Sequence, residues 1–145
     1  MKKILFSIFL LNIFLYAESN AKESFFQEAK NKYEKDQMKD SKFLFQRNIA
    51  FNPKDAKSYL YLAKIYNFEE NEFEELKNIK TVLLLEPENE EAMFMLINIK
   101  LEKSNFSEVN NLTEKFKIIC SKLCNKTEDI KKKLADIEVK KNTKQ

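Results

Sequence analysis

Cys120 and Cys124 are the only thiols in the chain and stand four residues apart. Thiols at close spacing can form a structural disulfide, a redox couple or part of a metal site. The spacing is not the C-x-x-C of redox folds, and there is no His or third Cys to complete a soft metal site. In an exported protein an even count of Cys favours pairing. Inside a regular helix an i, i+4 pair lies near the upper end of the Cα separation a disulfide spans. The reading preferred is therefore a disulfide made possible by unwinding near Ser121 to Leu123, which ties that point to a following helix. Free thiols and redox or metal chemistry are the alternatives.

Other catalytic constellations are missing from the composition. With His 0, the commonest general base and imidazole zinc sites are excluded. With Gly 0, so are the glycine-rich phosphate loops of nucleotide enzymes. Glu69, Glu70 and Glu72 cluster, but near a turn between two helices, where acidic side chains serve solubility and the helix N-terminus. No acid and base with converging geometry can be read out. We expect no catalytic residue, no metal, no cofactor and no small-molecule substrate. The formal charge is +3, but Lys2 and Lys3 belong to a segment expected to be removed, and Lys and Glu intermix along the rest. A nucleic-acid partner is not expected, because the phosphate backbone demands a basic face.

The elements that must position any site are helical. The 145 residues suffice for one domain, and 43% hydrophobic with 34% charged residues describes a chain that folds. Without Gly, and with Pro only at Pro53 and Pro87, turns at positive φ would rest on Asn or Asp, which disfavours β-rich folds. Met1-Lys2-Lys3 and the apolar run Ile4 to Tyr16, broken by Ser7 and Asn12, read as a signal peptide too short to span a membrane. Cleavage could follow Ala17 or Ala21; Ser19 and Ala21 fit the small-x-small rule better, giving residues 1–21 as the signal. No Cys stands just after the run, so no lipid-modified terminus is expected. The expectation is a periplasmic protein with no membrane span after cleavage.

Asn52-Pro53 and Glu86-Pro87 lie 34 residues apart, and each Pro separates two helix-like apolar runs. Counting from Ala56, Tyr59, Leu62, Ala63 and Tyr66 mark a first helix, and Ile79 and Val82 a second. Met93, Leu96 and Ile97 repeat the first pattern, and Asn105-Phe106-x-x-Val109, Phe116 and Ile119 the second. Upstream, Phe26, Ala29 and Tyr33, then Ser41, Phe45 and Ile49, fit a further pair whose loop reads one residue short. Over residues 22 to 123 this pattern resembles the tetratricopeptide repeat (TPR) family. It departs from the family in Ala63, where Gly is usual, and in Glu75 or Leu76, where a small residue is usual. The resemblance implies an all-α, right-handed superhelical stack of about three helix hairpins over residues 22–126. Stacked hairpins need a cap. Residues 127–145 supply one: Thr127 as N-cap, an Ile130, Leu134, Ile137 stripe, Lys131, Lys132 and Lys133 turned outward, and a frayed polar tail after Lys140.

In the family the first helix of each pair lines a ligand groove. Carried over, the resemblance implies a partner-binding face of Lys57, Leu60, Lys64 and Asn67, continued by Glu91, Phe94, Asn98 and Leu101 and extended upstream by Gln27 and Asn31. Lys57, Lys64 and Asn98 match the family's carboxylate clamp loosely. Separately, Met93, Phe94, Met95, Leu96, Ile97, Ile99 and Leu101 leave their helix almost no polar face, so it is either central or an interface. The function expected is a non-catalytic protein- or peptide-binding scaffold or adaptor of the bacterial cell envelope. The alternative is a structural subunit of a larger envelope complex, docking through the apolar 92–101 helix.

Overall fold

The structure, a computed structural model, describes the backbone of residues 25–142 and side chains to residue 137. The expected signal peptide and the last tail residues lie outside the described residues. The elements are α1 (25–34), α2 (Met38–Phe51), α3 (Ala56–Phe68), α4 (Glu72–Leu85), α5 (Glu90–Glu102), α6 (Phe106–Ile119) and α7 (Lys126–Asn142), with no strand among the described residues.

Their boundaries recur with the period of the prolines. Helices α2, α4 and α6 start at Met38, Glu72 and Phe106 and end at Phe51, Leu85 and Ile119, in steps of 34 residues. Within each hairpin the chain turns through one left-handed residue: Asp36, Glu70 and Ser104, at φ 57°, 55° and 54°. The next N–H reaches back to the last turn of the preceding helix, Gln37 to Lys32 O at 2.9 Å, Asn71 to Tyr66 O at 2.9 Å and Asn105 to Lys100 O at 3.0 Å. This is the Schellman closure, made without glycine. Asn71 and Asn105 then cap the following helix, their side chains accepting from the N–H of Glu74 and Glu108. One residue thus closes one helix and opens the next.

The one-residue shortening expected in the first hairpin is absent, since its turn is in step with the other two. Tyr33 sits 33 residues before Tyr66, but Ala29 and Ala63 stand 34 apart and both are fully buried, so they are the equivalent positions. The doubt between Glu75 and Leu76 resolves on Glu75, which is 4% exposed and in register with fully buried Ser41 and Val109.

Packing follows from the repeat. Helix α3 faces two cores at once. Leu62 and Ile65 join Ala29, Leu44 and Phe45 on one side, while Leu60 and Ala63 join Ile79, Val82, Met93, Ile97, Val109 and Phe116 on the other. The first core is aromatic: Phe45 stacks on Tyr61 at 4.8 Å between centroids, and Tyr33 meets Tyr61 edge-on at 5.1 Å. At the far end α7 packs on α5 and α6, burying Ile130, with Leu134 and Ile137 half-buried against the same core. It begins one residue before the expected Thr127 cap. Lys126 and Thr127 N–H instead donate to Leu123 O and Cys124 O at 2.8 and 3.1 Å, so the preceding loop satisfies the helix start and Thr127 is buried. The expected all-α stack of helix hairpins with a C-terminal helix over its end is borne out.

A left-handed residue with a Cβ costs about 1 kcal/mol relative to glycine. Ser104→Gly should therefore raise stability by roughly that amount, read as a higher urea midpoint with an unchanged slope. A lower midpoint would show that the Ser104 side chain stabilises the turn.

Candidate functional site

The first helices of the second and third hairpins, α3 and α5, border a cavity of about 610 Å³. Lys64, Asn67 and Phe68 come from α3; Glu91, Phe94, Met95, Asn98, Ile99 and Glu102 come from α5. Tyr33 of α1, Glu75 of α4, and Leu123 with Lys126 at the start of the cap complete the lining. Five of the eight residues expected on the partner-binding face meet here: Lys64, Asn67, Glu91, Phe94 and Asn98.

Three do not. Leu60 and Leu101 are 9% and 3% exposed, belong to the core and line no part of this cavity. These two leucines turn in among the core residues, whereas Lys64, Asn67, Glu91, Phe94 and Asn98 at the same spacing reach the cavity. Lys57 is exposed on the first turn of α3 and borders no part of the cavity. Gln27 and Asn31 are likewise exposed and outside it; α1 contributes Tyr33 instead. Phe68, Glu75 and Glu102 were missed by sequence reasoning, whereas Met95 belongs to the apolar helix already read as central or an interface. For Glu75 a signal existed, a carboxylate at a position the repeat reserves for a small side chain.

The lining cations are engaged. Lys64 pairs with Glu91 at 2.8 Å and sits 4.9 Å from the Tyr61 ring centroid. Lys126 pairs with Asp129 at 3.2 Å and lies 5.9 Å from the centre of Phe94, which in turn tilts against Phe116. Asn98 accepts from Lys133 Nζ at 3.1 Å. With Lys57 remote and Lys64 paired to Glu91, no clamp for a peptide carboxylate converges. Asn67 Nδ2 donates to Glu75 Oε1 at 3.2 Å. Burial pushes the Glu75 carboxyl above its ordinary value; the Asn67 hydrogen bond opposes this, and the charges of Glu102 and Glu72 add to it.

The wall carrying Leu123 is held by a second arrangement. Helix α6 ends at Ile119, and residues 121–125 are non-helical. Cys120 and Cys124 are bonded across this turn, with Cα atoms 5.2 Å apart. The carboxylate of Glu90, on the first turn of α5, accepts from the N–H of Ser121, Lys122 and Leu123 at 2.9 to 3.1 Å and from the Ser121 hydroxyl at 3.1 Å. Those donors, that of Leu123 first, bring its carboxyl down to about 2. The loop thus stands where Pro53 and Pro87 stand in the earlier repeats, and a carboxylate on its amides replaces proline as the fixing element. Among the described residues no three His, Cys, Asp or Glu side chains gather as metal ligands, and no helix is long and apolar enough to cross a membrane.

No family model matches the chain, and no curated protein is similar to it. Solved structures are similar in fold. The type III secretion chaperone SycD of Yersinia enterocolitica, in complex with a peptide of the translocator YopD, matches with a TM-score of 0.71 at 14% identity, covering 84% of this chain and 95% of that one. An alternative dimer of the SycD translocator chaperone matches with a TM-score of 0.69 over the same shares and at the same identity. At that identity the likeness concerns the fold, a TPR-like arrangement of helix hairpins.

The Glu90 clasp is acid-sensitive. A carboxyl at about 2 when folded, against an ordinary 4.5, contributes stability that is complete above pH 4.5 and fades as pH falls towards 2. Wild type should therefore exceed Glu90→Gln in urea midpoint at pH 6, with the gap narrowing steadily between pH 4.5 and pH 2. A gap independent of pH would mean that the charge of Glu90 does not hold the loop.

Proposed function

We propose that the protein is a non-catalytic, tetratricopeptide-type binding module that holds a segment of another polypeptide in the cavity between α3 and α5. The observation that carries this is the lining itself. Amide groups of Asn67 and Asn98 stand beside half-buried Phe94 and Met95 and an exposed Phe68. Such a surface suits a peptide, whose backbone needs hydrogen-bond partners and whose apolar side chains need pockets. The SycD chaperone, whose fold this chain shares, is a protein solved with a translocator peptide bound.

The reading extends to compartment. A Cys120–Cys124 disulfide persists in oxidising surroundings, and the Met1 to Ala21 segment has the pattern of an export signal. We place the mature chain in the periplasm, as an adaptor or chaperone of envelope proteins. A structural subunit docking through residues 92–101 has less to offer a neighbour: Met93, Leu96, Ile97, Ile99 and Leu101 are already buried, and the remaining Phe94 and Met95 line the cavity.

Selection of a random peptide library on the purified protein should yield ligands, and fluorescence anisotropy should show Phe94→Ala and Asn98→Ala weakening them about tenfold each. Lys115→Ala, on the exposed outer side of α6, should leave affinity unchanged. Absence of ligands, or ligands indifferent to Phe94 and Asn98, rejects the cavity as the binding site. Sequencing of the protein from a periplasmic fraction should begin at Lys22; a precursor retained in the membrane overturns the compartment.

A further inference from the structure

The part of the cavity built by α3, α4 and the end of α5 holds two carboxylates, Glu75 and Glu102, that enter no ion pair among the described residues. Glu75 occupies a column held by Ser41 in the preceding hairpin and Val109 in the next, where helices approach closely. It is 4% exposed, yet its side chain borders the cavity. One carboxylate oxygen accepts from Asn67, and the other accepts from no group among the described residues. Glu102 lines the same cavity, is exposed, and makes no ion pair among the described residues. Of the neighbouring cations, Lys64 pairs with Glu91, Lys126 with Asp129, Lys103 with Glu72 and Lys100 with Glu108, while Lys133 donates to Asn98.

Burial leaves this carboxylate poorly solvated, and its second oxygen opens to the cavity, where a cation gives it a charge-assisted partner in place of water. The upward displacement of the Glu75 carboxyl by burial and by Glu102 has the same origin. Beside the two carboxylates stands Phe68, 71% exposed, a surface on which a guanidinium plane or an alkylammonium stem can lie.

Resting on the peptide-binding reading, we propose that this part of the cavity is a subsite for the cationic side chain of an arginine or lysine in the bound segment. Glu75 and Glu102 are its carboxylate partners, Phe68 its stacking face, and Asn67 the residue that orients Glu75. Apolar residues flanking that cation in the peptide contact Phe94 and Met95.

The test uses the full chain with 15N label and two small probes, Nα-acetyl-arginine N-methylamide and its uncharged counterpart, Nα-acetyl-citrulline N-methylamide. The arginine probe should shift the Asn67 side-chain amide resonance saturably, the citrulline probe should not, and Glu75→Gln should abolish the response. The glutamine keeps the size of the side chain and an oxygen for Asn67. Glu102→Gln, at an exposed position that does not threaten folding, should weaken the response several-fold. In peptides selected on the protein, citrulline in place of the basic residue should cost about tenfold in wild type and little in Glu75→Gln. Equal responses to both probes, or an arginine response that survives Glu75→Gln, overturn the subsite. Peptides that bind through Phe94 with no preference for charge, together with a silent arginine probe, overturn it while leaving the peptide-binding reading intact. A probe response without any peptide ligand supports the subsite and removes the peptide reading.

Discussion

The fold depends on one constraint: a two-helix hairpin of this length cannot bury its own apolar surface, so each must lend a face to the next. Helix α3 shows this most directly. Leu62 and Ile65 close the aromatic core of the first hairpin, while Leu60 and Ala63, on the opposite side of the same helix, open the core shared by the second and third. Removing either neighbour would leave half of α3 facing water. The polar face left over is narrow, and the cavity lies along it.

The same constraint makes the end of the stack a chemical problem. The first two junctions between hairpins use Asn52-Pro53 and Glu86-Pro87, where proline stops one helix and sets the path to the next. At the third junction there is no proline. A disulfide four residues long and the carboxylate of Glu90, gripping three successive amides, impose the turn instead. This lets α7 fold back over α5 and α6 as a lid on the last core, and it places Leu123 in the wall of the cavity. Stability at the end of the stack and the shape of the site are thereby coupled through one side chain, Glu90.

Legibility of the site divides by element. Lys64, Asn67, Glu91, Phe94 and Asn98 could be named in advance because they fall on the free stripes of two first helices, and helical periodicity places such residues together in any stack of this kind. Leu60 and Leu101 share those stripes but lie in the core, since spacing gives direction around a helix axis but not how closely a neighbour approaches at each level. Glu75 showed only as an oddity of the repeat and Glu102 not at all, for another reason. They come from α4 and from the last turn of α5, and only the approach of one hairpin to the next brings them to a common space.

Sequence alone determined the helical class, the 34-residue period, the places where chain direction reverses and the export-like N-terminus, because Pro spacing, apolar periodicity and the absence of Gly act locally or through simple repetition. The tertiary structure alone decided which carboxylates lack a counter-ion, which leucines are core, and how a glutamate on α5 captures the loop after α6. Those are properties of pairs of residues as far as 33 positions apart. Their electrostatics and burial depend on distances of a few ångströms, which no pattern along the chain records.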